Sequence, residues 1–166
     1  MLPKTILFTR PNYDFPTSYL HYFADNLIQE VRKIGEYNII DLEGKRAIRS
    51  NFEQSVLKKI PRLIVLNGHG SPDAVWGHNE VILNSDNVNL LNSKIVYAVA
   101  CDSAENLGEL AVNKGQADAY IGYNARFMIV IDPSRTTTPS KDKNILPFLK
   151  SYSSLVISLL AGLTVE

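Results

Sequence analysis

The chain is poor in cysteine, in net charge and in long apolar runs. One cysteine in 166 residues, Cys101, excludes an internal disulfide and a cysteine-rich zinc site, and suits a reducing compartment. Lysine plus arginine number 17, aspartate plus glutamate 17, so the formal net charge is zero and nothing argues for nucleic acid or an anionic membrane as partner. The longest apolar stretch, Leu155 to Leu163, is interrupted by Ser158 and Gly162 and is too short to span a bilayer. The start, Met1-Leu2-Pro3-Lys4-Thr5, carries no signal-peptide pattern. A cytoplasmic protein without membrane association is the expectation. No Walker or Rossmann fingerprint occurs, and Thr9-Arg10-Pro11-Asn12-Tyr13 offers neither a glycine-rich phosphate loop nor an acidic pair.

What is present is an alternation of short apolar runs and amphipathic stretches. Lys4–Thr9, Tyr37–Leu42, Arg62–Leu66, Lys94–Ala100 and Asp118–Tyr123 read as strands. Between the first two, Leu20, Phe23, Leu27, Val31 and Ile34 make one helical face, capped by Thr17 or Ser18 and closed by Gly35. Ser50-Asn51-Phe52-Glu53 has the form of a capping box for a helix whose inner face is Phe52, Val56, Leu57 and Ile60, ended by Pro61. Ala74–Leu83 reads as a hairpin turning at Gly77-His78-Asn79, and residues 86–93 as a brief helix. Further helices are expected over Ser103–Lys114, with Leu107, Leu110 and Ala111 inward and Gly115 as cap, and over Ile145–Leu160, with Pro147 in its first turn. Residues 124–144 are irregular and polar in their second half, a mobile loop candidate. This order predicts one α/β domain over 1–166, three-layer α/β/α with a mostly parallel sheet. The end, Leu163-Thr164-Val165-Glu166, supplies no closing strand, so a further domain or a second copy is expected to complete the sheet.

Two strand ends carry chemistry. Leu63-Ile64-Val65-Leu66 runs into Asn67-Gly68-His69-Gly70, and Ile95-Val96-Tyr97-Ala98-Val99 into Ala100-Cys101-Asp102-Ser103. In open α/β sheets, functional groups gather outside the carboxyl ends of the strands. A nucleophilic cysteine needs a proton acceptor, and an imidazole on the neighbouring strand provides one. A helix starting near Ser103 would add its N-terminal field at Cys101. Gly70 allows close backbone approach, and the amides of Gly70 and Cys101 could hold an oxyanion. The 32 residues from His69 to Cys101 suffice for a crossover between adjacent parallel strands. Alone, Cys101 reads as a small buried hydrophobe and His69 as a turn residue; together they read as a dyad. A zinc site from His69, His78 and Cys101 has no motif spacing, and neither metal nor cofactor is expected.

The apolar strand followed by His-Gly, then the apolar strand ending in Ala-Cys, resembles the caspase-like cysteine peptidases. The continuation Asp102-Ser103-Ala104, a helix, then Ala117-Asp118-Ala119-Tyr120-Ile121-Gly122-Tyr123 is most similar to the CHAT and gingipain branch, as is the last helix. The resemblance covers nearly the whole chain and implies a sheet of order 2-1-3-4-5, also the flavodoxin-like order. It implies Cys101 as nucleophile, His69 as general base and acid without an obligatory third member, Gly70 and Cys101 amides as the oxyanion hole, and a protein or peptide substrate cleaved after one chosen side chain. The chain departs from the caspase word Gln-Ala-Cys-x-Gly, with Val99 at the Gln position and Ala104 in place of Gly. Its His–Cys gap is also shorter than the roughly 50 residues of caspases. No motif therefore fixes the residue preference. Arg10, at the end of the first strand, is a candidate to receive an acidic side chain, with pairing to Asp14 or Asp102 as the alternative. Asp102 and Asp14 could instead select a basic residue, and Trp76 in the hairpin could line a pocket. Two other readings stay open: a catalytically inactive domain of the same fold that binds a partner protein, and a flavodoxin-like small-molecule binder.

Overall fold

The computed structural model describes residues 5–162. Five parallel strands form the main sheet: β1 (Thr5–Arg10), β2 (Asn38–Glu43), β3 (Leu63–Asn67), β7 (Ile95–Val99) and β8 (Ala119–Ile121). They pair in the spatial order β2-β1-β3-β7-β8. Three short antiparallel strands, β4 (Gly70–Ser71), β5 (Ala74–Trp76) and β6 (Val81–Leu83), make a small second sheet inserted between β3 and β7. Among the described residues, no helix is long and apolar enough to cross a membrane.

The strand interiors are apolar on both faces, as a covered parallel sheet requires. Ile6, Phe8, Val65, Tyr97 and Val99 point to one side, where α1 (Phe15–Ile34) and α4 (Leu146–Leu160) bury Phe23, Leu27, Tyr152 and Val156 against them. Leu7, Ile64, Leu66, Val96 and Ala98 point to the other, against α2 (Arg49–Lys59), α3 (Leu107–Asn113) and the small sheet. The result is helices on both faces of one sheet, a three-layer arrangement with two cores.

Several local details differ from the sequence reading. The cap of α1 is Asp14, not Thr17 or Ser18; its carboxylate accepts from Thr17 N, and the Thr17 hydroxyl returns to the cap backbone. Ser50 caps nothing: α2 starts two residues earlier than that cap implies, at Arg49, with Ile48 at its N-cap. Glu53, the supposed second half of the box, instead accepts from Arg49 Nε at 2.8 Å and Asn87 Nδ2 at 2.9 Å. Leu57 and Ile60 are exposed (66% and 69%), because α2 is short and only Phe52 and Val56 reach the core. Ile60 sits at φ 47°, a conformation costly for a β-branched residue. Pro61 disfavours the right-handed alternative at that position. The hairpin is present, and Asn79 takes the left-handed turn position at φ 62°. Residues 88–91 form a single 3₁₀ turn, and Lys114 rather than Gly115 caps α3. The fifth parallel strand spans only Ala119–Ile121. The readings at Lys4 and at Leu163–Glu166 lie outside the described residues.

Candidate active site

The register β3↔β7 brings Asn67 level with Val99, so the two motif-bearing loops leave the sheet side by side. Asn67 ties its strand end to β1: its amide N–H donates to Thr9 Oγ1 (3.1 Å) and its Nδ2 to Thr9 O (2.8 Å). Gly68 N then donates to Val99 O at 3.4 Å, and Trp76 N to His69 O at 2.9 Å. His69 is thus fixed by the backbone on both sides. A Cβ on Gly68 would collide with Trp76 O, and one on Gly70 with the Cys101 carbonyl and amide. Both positions therefore require glycine through close approach of two backbones. The bond to His69 O makes Gly70 and Val75 a pair that exchanges no ladder hydrogen bonds, so the Gly70 N–H faces away from β5.

Cys101 opens a series of turns that runs to Asn106, and α3 begins only at Leu107. The expected helix start at Ser103 is therefore a correction. Pro72 O accepts the amides of Asn106 and Leu107, and the preceding chain folds back onto the 123–125 segment. Asp102 N donates to Ala125 O (3.1 Å) and Ala104 N to Tyr123 O (2.9 Å), while Ser103 Oγ donates to Ala100 O (3.0 Å). The N-terminus of α3 is thus set back from the thiol, and the Cys101 amide has no backbone acceptor among the described residues.

His69 and Cys101 line one cavity of about 160 Å³. Its other walls are Phe15, Pro16 and Leu20 from α1, Gly68, the end of β7 at Val99 and Ala100, and Phe127 and Ile129. A larger, open groove of about 370 Å³ between α1 and α4 contains Glu30, Leu146 and Lys150 but neither a histidine nor the thiol. The wall residues Phe127 and Ile129 lie on an irregular segment, Phe127–Ile131, that makes no backbone–backbone hydrogen bond among the described residues and leaves Met128 and Val130 exposed.

His69 Nε2 lies 2.6 Å from Asp14 Oδ2. Partial burial disfavours the Asp14 charge, but the hydrogen bonds from Thr17 and His69 outweigh it and hold the carboxyl below the usual carboxylate range. An ionised carboxylate can only accept, so His69 Nε2 carries the proton and Nδ1 is the basic nitrogen. This third residue went unrecognised in the sequence, where Asp14 figured only as a partner for Arg10 or a selector of basic groups. Its signal was Asp14-x-x-Thr17, a helix N-cap placed directly after β1 and so beside β3.

The remaining candidates separate from the cavity. Arg10 turns to the β2 edge, where Nε and Nη2 each meet Asp41 at 2.7 Å, Nη2 meets Glu43 at 3.0 Å and Nη1 donates to His21 Nε2 at 2.9 Å. Its partners are neither Asp14 nor Asp102, and its guanidinium is spent. Asp102, at φ 57°, and Trp76 do not line the cavity; Trp76 acts through its backbone on His69. His78 packs edge-on against Tyr13, which also contacts the His69 ring at 6.0 Å between centroids. Among the described residues, no three His, Cys, Asp or Glu side chains group as metal ligands.

The chain matches no family model, and no curated protein matches it.

Proposed function

We propose that this chain is a caspase-like cysteine endopeptidase domain, nearest in pattern to the CHAT and gingipain branch. The supporting observation is that the lone cysteine shares one cavity with a histidine whose Nε2 is held by a half-buried carboxylate. In this reading the Cys101 sulfur attacks a peptide carbonyl and His69 Nδ1 takes the thiol proton. The amides of Gly70 and Cys101 stabilise the oxyanion. His69 then gives the proton to the leaving amine, and water, deprotonated by the same imidazole, releases the acyl group from sulfur. The unpaired Phe127–Ile131 backbone beside the cavity suits an extended peptide, which pairs with open edges through main-chain hydrogen bonds. The mostly parallel sheet with helices on both faces supports this reading, in which a second copy would adjoin the edge strand β8.

A silent domain of the same fold, binding a partner protein, draws on one feature: α3 begins only at Leu107, so its N-terminus does not favour a thiolate at Cys101. The two readings part on Cys101 reactivity. Because the chain has a single cysteine, iodoacetamide reports on that site alone. We expect alkylation at about pH 6 to fall at least about tenfold in His69→Ala, since a positioned base contributes about 10²–10⁴-fold. Equal rates in both proteins would reject the peptidase and favour the silent domain.

A further inference from the structure

We propose, resting on the peptidase reading, that the cavity beside Cys101 receives the side chain of the residue whose carbonyl is attacked, and that this side chain is apolar and of Leu, Met or Phe size. Besides His69 and Cys101, the cavity walls are Phe15, Pro16, Leu20, Val99, Phe127 and Ile129 with two small residues, and no Lys, Arg, Asp or Glu lines it. Of the ionisable groups near these walls in sequence, Arg126 is exposed and lines a separate groove with Met128 and Tyr152. Arg10 is held by Asp41 and Glu43 on the far side of β1, and Asp14 is occupied by Thr17 and His69. Asp102 leaves the cavity in a left-handed turn. An acidic or basic side chain would enter with no counter-charge and no released hydrogen-bond partner, which is strongly unfavourable in an apolar site.

Size gives the second bound. A volume of about 160 Å³ is close to the roughly 150 Å³ apolar cavity known to accept benzene. It fits one branched aliphatic or one six-membered ring, and a tryptophan exceeds it. The walls come from three separately anchored pieces. The first turn of α1 is fixed by Asp14, the end of β7 is buried, and the 127–129 segment continues from the turn that binds Asp102 and Ala104. Val99, which stands at the position of the caspase glutamine, is fully buried and supplies the floor.

The test uses three peptidyl chloromethyl ketones that differ only in the terminal residue, Leu, Asp or Arg. Cys101 sulfur displaces chloride to form a thioether, read by mass. We expect the Leu reagent to label about 100-fold or more faster than the Asp or Arg reagents. In Ile129→Arg, where the wall residue sits on a segment free of backbone bonds, the Asp reagent should gain about tenfold relative to Leu. Equal or faster labelling by the Asp or Arg reagent, with iodoacetamide alkylation still dependent on His69, overturns this inference and leaves the peptidase reading intact. Failure of all three reagents while iodoacetamide still reacts through His69 overturns it as well. Alkylation that ignores His69 removes the peptidase reading and this inference with it.

Discussion

Asp14 joins helix capping to the orientation of the base within one carboxylate. Oδ1 accepts the Thr17 amide at 3.0 Å and the Thr17 hydroxyl at 2.6 Å, while Oδ2 faces His69 Nε2. Asp14→Asn separates the two tasks. Asparagine caps about as well as aspartate, so α1 should hold and stability should change by less than about 1 kcal/mol. The amide nitrogen, however, would meet His69 Nε2 as a donor and force the proton onto Nδ1, the nitrogen needed to take the thiol proton. Iodoacetamide alkylation of Cys101 should therefore fall about tenfold or more while the urea midpoint barely moves; an unchanged alkylation rate would show that Asp14 is only a cap. Acidity follows the same logic. The Asp14 carboxyl is held below its ordinary value, so its stabilising contribution is complete above that value and is lost as pH falls through the lower folded one. Its side chain is 35% exposed, which keeps that contribution small through solvent screening.

At the scale of elements, what could be read from sequence was what period and burial dictate, and what could not was set by distant partners. β1, β3 and β7 are runs buried on both faces, and α1 shows the spacing of an amphipathic helix over five turns. The failed capping box at Ser50 shows the limit: Glu53 found Arg49 and Asn87, the latter 34 residues away, and the first amide of α2, Arg49 N, donates to the distant Glu80 Oε1 at 2.9 Å. Asp14 and His69, 55 residues apart, were invisible for the same reason. The 124–144 stretch, read as a mobile loop, is pinned by one buried carboxylate. Asp142 accepts from Tyr19 OH (3.1 Å), Asp132 N (2.8 Å) and Asn144 N (2.9 Å), which fastens the chain after the cavity wall to α1. Asp142→Ala would take the acceptor from three donors, the buried Tyr19 hydroxyl among them, at about 1–3 kcal/mol. Trypsin should then cut after Arg135 several-fold faster than in the wild type, and Leu-reagent labelling of Cys101 should weaken as Phe127 and Ile129 lose their support. Unchanged cleavage would mean the segment is held elsewhere.

The whole molecule rests on two cores that share one sheet, and at the β2 edge an ion cluster joins the apolar packing of Leu42, Ile39 and Ile40. Arg10, only 5% exposed, bridges β1 to Asp41 and Glu43 on β2 and reaches Asp25 on α1 at 3.5 Å. Burial works against its charge, yet the hydrogen bond and field of Asp41, with Glu43 and Asp25 behind it, more than compensate and raise its pKa. The sequence showed an arginine at a strand end and suggested a substrate contact; it could not show which edge of β1 the side chain would take. The register decides that, because Arg10 pairs with Glu43, whereas the β1–β3 pairing stops at Thr9. Arg10→Met would leave the mostly buried Asp41 carboxylate beside Glu43 without a cation, at about 3–5 kcal/mol. Arg10→Met combined with Asp41→Leu should recover much of that loss, because an apolar pair of similar volume replaces the ion pair without an orphaned charge. Urea denaturation of the two singles and the double reads this directly. Labelling adds the functional half. In folded Arg10→Met, the ratio of Leu-reagent to Asp-reagent labelling of Cys101 should equal the wild type, since Arg10 lies off the cavity. A rise of that ratio through lost Asp-reagent labelling would return Arg10 to the substrate site and displace the apolar-pocket account of specificity.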